Sequence, residues 1–357
     1  MINLKEHIKE ATWRTRNALH VFRLKKNEFF ERKHLGFLVR SPKWMPEWLK
    51  KILQALIYLL PAILLLGTFT FYPIFNSFII SFYTGYNIQT GQYDGFTFLG
   101  NYETVIKHAN FTKALMNTGI IVIVSVPIAI LLSLLIAVAM NSIKPLKSFY
   151  QTIFFLPYVT NSIAIGLVFA FMFKGNSNDL TNLGLANQVI SWFGGQPIVW
   201  IGVGATYWSA ISVILIYSVW AGLAFKIIVF LAGIQGIDKQ YYQAAQIDGA
   251  NKVKSFKRIT VPLISPMIFY ILITSVIGSF KTYSSVVAII NREGMITTGA
   301  NGTINLKTIV FYIYDYIGLA ALDGMMSYAS AAAIILFIII LVFTLIQLYV
   351  GKRRVHY

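Results

Sequence analysis

The segment Gln243-Ala244-Ala245-Gln246-Ile247-Asp248-Gly249-Ala250 lies in a polar, net-basic loop between two long apolar segments. Residues 241–247 predict a short helix, and Asp248-Gly249 predicts a turn, because glycine adopts the positive φ that ends helices. A second helical stretch follows, with Phe256 and Ile259 on one face and Pro262 opening the next apolar segment. A helix-turn-helix at a membrane surface suits docking of a partner protein. The alternative is an amphipathic linker that rests on lipid.

The composition places the chain in a bilayer. Its 357 residues are 57% hydrophobic and 12% charged, with a mean hydropathy of +0.65, whereas soluble domains are about 25% charged. Runs of about 18 or more apolar residues mark membrane spans. We predict an all-α, polytopic membrane protein with six transmembrane helices, at about 55–82, 117–141, 149–173, 205–233, 263–283 and 328–350. Prolines inside these spans indicate either kinked helices around a cavity or the ordinary kinks of a packed bundle.

The basic residues predict the orientation, since cytoplasmic loops are enriched in lysine and arginine. Residues 1–51 contain 13 Lys and Arg against 5 Asp and Glu, and the loops at 142–148 and 235–262 and the C-terminal tail are also basic. The three intervening loops are neutral. Both termini and the 235–262 loop are therefore predicted to be cytoplasmic (N-in, C-in). Topology and anionic lipid account for the net charge of +17, which does not point to nucleic acid.

Ionisable side chains are scarce inside the predicted spans. The spans contain no Asp, Glu or His, which proton- and sodium-coupled carriers usually keep near the midplane. Lys226 and Lys281 are their charged residues, and each either snorkels to an interface or faces a transport pathway. The sequence has no cysteine, no GxxxxGK(S/T) nucleotide loop, no HExxH and no GxSxG. We expect no catalytic residue, no metal site and no cofactor in the chain, and an energy source outside its membrane core.

The segment 243–262 resembles the EAA loop of ABC-transporter permeases. That pattern has E-A-A, then G after three residues, and an isoleucine and a proline further on; Ala244, Ala245 and Gly249 fall in register with it. Gln243 departs from the glutamate, which favours a neutral hydrogen bond over a salt bridge to a partner. The residues that the resemblance assigns to an ATPase-coupling site are Gln243, Ala244, Ala245, Asp248, Gly249, Ala250, Phe256, Ile259 and Pro262.

The resemblance extends over nearly everything from about residue 53 on. The chain is similar to carbohydrate-importer permeases of the maltose and glycerol-phosphate type at Leu59-Leu60-Pro61, Tyr72-Pro73, Ser81-Phe82, Gly100-Asn101-Tyr102, Asn117-Thr118, Phe155-Leu156-Pro157, Thr308 and Tyr328-Ala329-Ser330-Ala331. This implies a type I ABC importer permease domain over 53–351, with the EAA loop at about 235–266. A basic cytoplasmic extension with an interfacial helix (1–52, including Trp44 and Trp48) precedes it, and a basic cytoplasmic tail (352–357) follows.

The resemblance also implies partners in the cell membrane. They are a second, homologous permease, two ATPase subunits that bind ATP and Mg, and an extracytoplasmic solute-binding protein. The alternatives are an ATP-independent channel or carrier, and a membrane enzyme or assembly factor. The second would need an acidic cluster or a nucleotide motif at the membrane face, and the sequence has neither.

The solute implied by the resemblance is a sugar or oligosaccharide, with glycerol phosphate or an anionic saccharide as the alternative. Aromatic faces, amides and hydroxyls bind sugars, and Lys281 weakly favours an anionic group. The candidate pathway residues are Asn161, Ser162, Tyr217, Ser218, Trp220, Phe280, Lys281 and Tyr283. Tyr217 and Trp220 lie three apart on one helix face, as do Phe280 and Tyr283. Packing, or for Tyr283 a place in an interfacial aromatic belt, is the alternative role.

Overall fold

The structure, a computed structural model, describes residues 46–143, 147–175, 184–298, 302–318 and 325–354. Met1–Asn76 and Ser77–Tyr357 form separate compact units. Most of the predicted N-terminal extension, including Trp44, and the end of the predicted tail lie outside the described residues. Trp48 lies in the first described helix and is exposed.

The described part of the chain is built from helices with two small hairpins. The helices are α1 (Glu47–Leu66), α2 (Tyr72–Ile80), α3 (Gly100–Lys107), α4 (Ala109–Ser142), α5 (Lys147–Val159), α6 (Ser162–Met172), α7 (Leu185–Trp192), α8 (Tyr207–Gln235), α9 (Lys239–Ile247), α10 (Lys252–Ser255), α11 (Val261–Leu263), α12 (Ser265–Phe280), α13 (Ser284–Ile289), α14 (Ile309–Gly318) and α15 (Met325–Arg354). π-helical turns at Gly67–Phe71 and Phe256–Thr260 connect α1 to α2 and α10 to α11. Antiparallel pairs join β1 (Tyr83–Thr84) to β2 (Gly95–Phe96) and β3 (Met295–Thr297) to β4 (Thr303–Asn305).

Six segments of the described chain qualify as membrane spans when each of two bent helix pairs counts as one. The straight spans are Lys51–Ile80, Ala109–Ser142, Tyr207–Gln235 and Met325–Lys352, and the bent pairs are Ser148–Val159 with Ser162–Met172 and Lys252–Leu263 with Ser265–Phe280. These correspond in order to the six predicted spans. The second helix begins earlier than the predicted 117–141, because its polar first turns continue the helix beyond the apolar run.

The third predicted span is a broken helix. Its two halves meet at an angle of 96°. The first half contains Pro157 and its helical hydrogen bonds continue as far as the N–H of Thr160, which bonds the Leu156 carbonyl at 3.2 Å. The Asn161 side chain then caps α6, accepting hydrogen bonds from the N–H groups of Ile163 at 2.8 Å and Ala164 at 3.3 Å. The kink predicted from the prolines is found in this span.

Helix α4 lies at the centre of the second unit. It packs most extensively along α8, and it also contacts α12 and α14. Its length passes three apolar clusters, which include Ile121, Val122 and Leu134, respectively. The third cluster joins the ends of α4 and α8 to the start of α12, through residues such as Phe230 and Ile264. This arrangement holds three spans in fixed proximity at the end of the bundle that carries the 235–266 loop.

Buried polar side chains on α4 tie it to the segment before α14. The fully buried Asn117 donates hydrogen bonds to the carbonyls of Asn305 at 3.0 Å and Lys307 at 2.9 Å, and accepts one from the Tyr207 hydroxyl at 2.9 Å. Its neighbour Thr118 accepts a hydrogen bond from the backbone N–H of Ile309 at 3.0 Å. The resemblance at Asn117-Thr118 thus has a structural explanation, since these side chains satisfy loop backbone that would otherwise be unpaired.

Replacing Asn117 with leucine is expected to destabilise the fold. The change leaves two carbonyls and one tyrosine hydroxyl without partners inside the protein, at a total cost of about 3 kcal/mol. Thermal unfolding of the purified protein in detergent or nanodiscs measures it. Asn141→Leu, the same change at an exposed position of α4, is the control and should unfold at nearly the wild-type temperature. Equal unfolding temperatures for the two variants would contradict the role given to Asn117.

Candidate functional site

The first half of the 235–266 loop is helix α9 with defined caps at both ends. The Asp238 carboxylate accepts a hydrogen bond from the backbone N–H of Gln240 at 2.9 Å. At the other end, Gly249 has a φ of +70°, the Gly249 N–H bonds the Gln246 carbonyl at 3.1 Å, and the Ala250 N–H bonds the Ala245 carbonyl at 2.8 Å. These are the bonds of a Schellman turn, so the predicted helix and glycine turn are present.

The second half of the loop is helical with a local change of winding. The Asn251 side chain caps α10 by accepting from the Lys254 N–H at 2.8 Å, and the π-helical turn Phe256–Thr260 follows. π-helical turns often occur at functional positions. The chain then bends by 67° between Lys252–Leu263 and Ser265–Phe280.

The bend corrects one expectation about Pro262. The sequence predicts that Pro262 opens the fifth span, but it lies in α11, before the bend. Pro266 occupies the first turn of α12, the helix that forms the span. The two positions are equally compatible with a first helical turn, so local preference did not distinguish them.

Contacts within the loop, and between it and the membrane bundle, order this region. The hydroxyls of Tyr242 and Thr260 are 2.9 Å apart, which joins α9 to the π-helical turn. Phe256 packs against the third apolar cluster, and Ala245 is buried. In the same region Gly233 of α8 approaches Met267 of α12 so closely that a Cβ atom on the glycine would lie 2.2 Å from the methionine sulfur. Because of these contacts, the loop and the spans on either side of it are mechanically connected.

The outward face of α9 and of the turn carries exposed apolar side chains among polar ones. Ile247 is 87% exposed, and Tyr241 and Val253 are also exposed. Gln243 and Ala244 lie on the exposed side, as do Asp248 and Gly249. A Cβ atom added at Gly249 would meet nothing within 4 Å inside the chain. This surface has the small side chains and exposed aliphatic groups that a close-fitting partner protein needs.

A second candidate site is a cavity of about 360 Å³ among the spans. Helices α4, α8 and α12, together with the residues that follow α12, form its walls. It is lined by Ser125, Val126, Ala129, Tyr217, Ser218, Ala221, Gly222, Phe225, Lys226, Thr274, Ser275, Gly278, Ser279, Thr282 and Ser285. We call it the hydroxyl-lined cavity, because serine, threonine and tyrosine side chains occur on every wall.

The hydroxyls of this cavity retain hydrogen-bonding capacity. Ser218 and Thr274 donate to carbonyls of their own helices, at 2.7 Å to Ile214 and 2.9 Å to Tyr270, which leaves their oxygen lone pairs available as acceptors. The side chains of Ser275 and Ser279 make no hydrogen bond to any residue in the described part of the chain. Donors and acceptors are therefore both available to a polar solute.

Lys226 brings a positive charge to the hydroxyl-lined cavity. Its ammonium donates a hydrogen bond to the Gly222 carbonyl at 2.8 Å, one helical turn back along α8. A Cβ atom at Gly222 would lie 2.9 Å from the Lys226 Nζ atom, so the glycine leaves the space that the ammonium occupies. The ion pairs within the described residues are Lys107–Glu103 and Lys307–Asp315, and neither involves Lys226.

The structure brings together two of the eight candidate pathway residues. Tyr217 and Ser218 line the hydroxyl-lined cavity. Tyr217 is also buried, and its hydroxyl donates to the Ser162 carbonyl at 3.1 Å, which connects α8 to the break in the third span. Asn161 is exposed and caps α6, and Ser162 is exposed beside it. For all eight residues a role in solute transport stays a prediction.

The other four candidates lie outside the hydroxyl-lined cavity. Phe280 is 3% exposed and packs with its ring centroid 5.4 Å from that of Phe343. Tyr283 stacks on Tyr314 with 4.4 Å between ring centroids. Trp220 borders two shallow apolar grooves on another face of α8. The exposed Lys281 follows the last residue of α12.

Sequence reasoning missed most of the polar wall. Thr274, Ser275, Ser279, Thr282 and Ser285 are polar positions that recur every three or four residues along the fifth span and beyond it. Within α12 this spacing places Ser275 and Ser279 on one helix face, whereas Thr282 and Ser285 follow the end of the helix. The recurring polar positions were a usable signal. Aromatic residues drew attention instead, although in this chain they serve mainly in packing.

The fold and these two sites define a multi-pass helical membrane protein with a polar cavity among its spans and a structured loop at one end of the bundle. A family model described as "Binding-protein-dependent transport system inner membrane component" matches residues 129–356. The chain belongs to this family, and the resemblance to ABC importer permeases is confirmed. It is a multi-pass inner membrane protein and a transport component, not an enzyme.

Curated relatives match most of the chain. AraP of Halalkalibacterium halodurans, an arabinooligosaccharide transport system permease, is 32% identical over 294 residues, which cover 81% of this chain and 84% of that protein. LacF of Rhizobium radiobacter, a lactose transport system permease, is 30% identical over 301 residues, which cover 84% and 94%, respectively.

Solved structures share the fold. A chain of a bacterial ABC transporter involved in the import of the acidic polysaccharide alginate superposes with a TM-score of 0.67 at 24% identity, covering 86% of this chain and 99% of that one. This likeness establishes a common fold, in agreement with the predicted type I importer architecture.

Proposed function

We propose that the chain is the membrane subunit that conducts a sugar or oligosaccharide through an ATP-driven importer. The hydroxyl-lined cavity carries this proposal. A saccharide presents many hydroxyl groups and apolar ring faces, and serine, threonine and tyrosine side chains on a partly apolar wall match both. That two relatives are named as arabinooligosaccharide and lactose permeases supports the same solute class.

The 235–266 loop is the proposed docking site for an ATPase subunit. Its exposed face offers Ile247, Ala244 and Gly249 to a groove. Phe256 packs against the bundle, and the hydrogen bond of Tyr242 joins the two halves of the loop. ATP and Mg are bound by the partner, two copies of which serve the importer. Gln243 contributes an amide hydrogen bond to this contact where a glutamate would form a salt bridge.

The orientation follows from the same loop. Lys252, Lys254, Lys257 and Arg258 are exposed on its second half, which favours the cytoplasmic side. Four spans precede the loop and two follow it. Because both numbers are even, both termini lie on the same side as the loop, in the cytoplasm, and the β1–β2 and β3–β4 hairpins lie on the opposite side.

The remaining partners complete a transport cycle. A second, homologous permease closes the open side of the hydroxyl-lined cavity, and an extracytoplasmic binding protein delivers the solute, as the family description suggests. Closure of the ATPase pair moves α9, and the connected spans α8 and α12 change their packing, so that the cavity alternates between the two sides of the membrane.

Purification of the tagged chain from native membranes in mild detergent tests the proposal. We expect a second permease and an ATPase to copurify, as identified by mass spectrometry, and the complex to hydrolyse ATP. Reconstituted with its binding protein in proteoliposomes, it should accumulate labelled saccharide only when ATP is supplied. ATP-independent accumulation by the chain alone would instead identify a channel or carrier.

A further inference from the structure

Lys226 lies inside a spanning helix, nine residues before the end at which the 235–266 loop begins. Helix α8 continues from Lys226 to Gln235, which is roughly 14 Å of helix at 1.5 Å per residue. The side chain does not extend along this length toward the 235–266 loop. It turns back one helical turn, where the ammonium bonds the Gly222 carbonyl at 2.8 Å. A lysine that snorkels extends its ammonium toward the nearest interface, and Lys226 points the other way.

The direction of this side chain places its charge in the hydroxyl-lined cavity. Gly222 and Lys226 both line the cavity, and the absence of a Cβ atom at Gly222 provides the room, since that atom would lie 2.9 Å from Nζ. The ammonium thus shares the cavity with the hydroxyls of Ser218, Ser275 and Ser279. A cation among hydroxyl donors and acceptors is a surface that recognises a polar, negatively charged group.

No acidic side chain of the described chain neutralises Lys226. The spans of the described chain contain no Asp or Glu, and its acids lie outside them, in loops or in the short helices α3 and α14 and the first turn of α1. One backbone carbonyl satisfies one of the three ammonium donors. An unpaired charge inside a membrane is costly, and proteins retain one where it meets a charged partner or solute.

We propose that the solute carries an anionic group, a carboxylate or a phosphate, which pairs with Lys226 while the serine and threonine hydroxyls bind the rest of the molecule. Uronate saccharides and sugar phosphates share this chemistry. This inference rests on the proposed function and narrows it, since it assigns the selection of charge to Lys226 and not to Lys281, which is exposed outside the cavity.

The test compares matched solutes in proteoliposomes that contain the complete importer with its binding protein. The labelled probes are a galacturonate disaccharide with the corresponding galactose disaccharide, and glucose 6-phosphate with glucose. We expect the wild type to transport the anionic member of one pair faster than its neutral counterpart by at least about tenfold, which corresponds to the energy of one charged hydrogen bond. The pair that shows this preference distinguishes a carboxylate from a phosphate.

Substitutions test whether the Lys226 ammonium causes the preference for the anionic probe. Lys226→Met should reduce uptake of the anionic probe by about tenfold or more, whereas Lys226→Arg retains most of it, because the positive charge remains. Gly222→Ala should also reduce it, by displacing the ammonium. Lys113→Met removes the same charge at an exposed position of α4 outside the cavity and should leave uptake of both probes unchanged.

Three results would overturn the inference, and they separate it from the importer proposal. Uptake of only the neutral probes would support the importer function and contradict the inference that the solute is anionic. An equal loss of neutral and anionic uptake in Lys226→Met would mean that the ammonium does not select the charge of the solute. Failure of wild-type proteoliposomes to transport either anionic probe with ATP, while a saccharide that the binding protein holds is taken up, would contradict the inference and leave the importer function intact.

Discussion

Replacing Gly249 with leucine is expected to abolish ATP-driven uptake while the protein remains folded in the membrane. Gly249 has a φ of +70°, a conformation that costs other residues about 1 to 2 kcal/mol. No atom within 4 Å inside the chain obstructs a side chain there, so the leucine projects from the exposed face of the turn. The bulk therefore falls between α9 and the proposed ATPase groove and separates the two surfaces.

The measurement has two readouts, copurification of the ATPase and solute uptake, and both should fall by at least about tenfold, as for loss of a central interface contact. Gly91→Leu is the matched control. Gly91 has a φ of +68°, also has nothing within 4 Å of its Cβ position, and lies in the β1–β2 hairpin, away from the loop. Equal losses in both variants would mean that backbone strain, and not docking, explains the effect, and normal uptake by Gly249→Leu would contradict the docking role.

The spans and the 235–266 loop could be predicted because their signals are local. Apolar runs long enough to cross a bilayer stand out in any composition, and Asp248-Gly249 has few conformations other than a helix-ending turn. The bend after Leu263 could not be placed, since Pro262 and Pro266 are equally suited to begin a helix. Packing of Ile264 into the third apolar cluster accompanies the bend, and that contact depends on α4 and α8.

The hydroxyl-lined cavity was harder to predict because no single segment contains it. Its walls come from α4, α8 and α12 with the residues after it, so that Ser125, Lys226 and Ser275 meet only in the folded chain. Tyr217 and Ser218 were found from residue type alone. Phe280 and Tyr283 were selected by the same rule, yet they pack against Phe343 and Tyr314. Residue type indicates what can bind a sugar, but only packing decides which face is free to do so.

The two sites share the same pair of helices, which gives a physical route between them. Helix α8 carries Lys226 and ends at the loop, and α12 carries Ser275 and begins after it. Near the loop the two helices pack closely, because Gly233 of α8 has no side chain and leaves room for Met267 of α12. We therefore expect a displacement of α9 to change the packing of both cavity walls, since packed interfaces switch between arrangements and do not deform continuously.

Filling the hydroxyl-lined cavity should block uptake without affecting assembly. Gly278 lines the cavity, and a Cβ atom there would meet nothing within 4 Å. Gly278→Trp is therefore expected to place an indole in the cavity of roughly 360 Å³. We expect uptake to fall by at least about tenfold, as when a bound ligand loses its site.

The same variant should retain its ATPase partner, because the 235–266 loop is unchanged, and this distinguishes it from Gly249→Leu. Gly119→Trp is the matched control, since Gly119 also lies in a spanning helix with nothing within 4 Å of its Cβ position but does not line the cavity. Uptake at the wild-type rate by Gly278→Trp would place the solute pathway elsewhere. Loss of the ATPase from that variant would mean that the cavity and the loop are not separable sites, because a change in one then destroys the other.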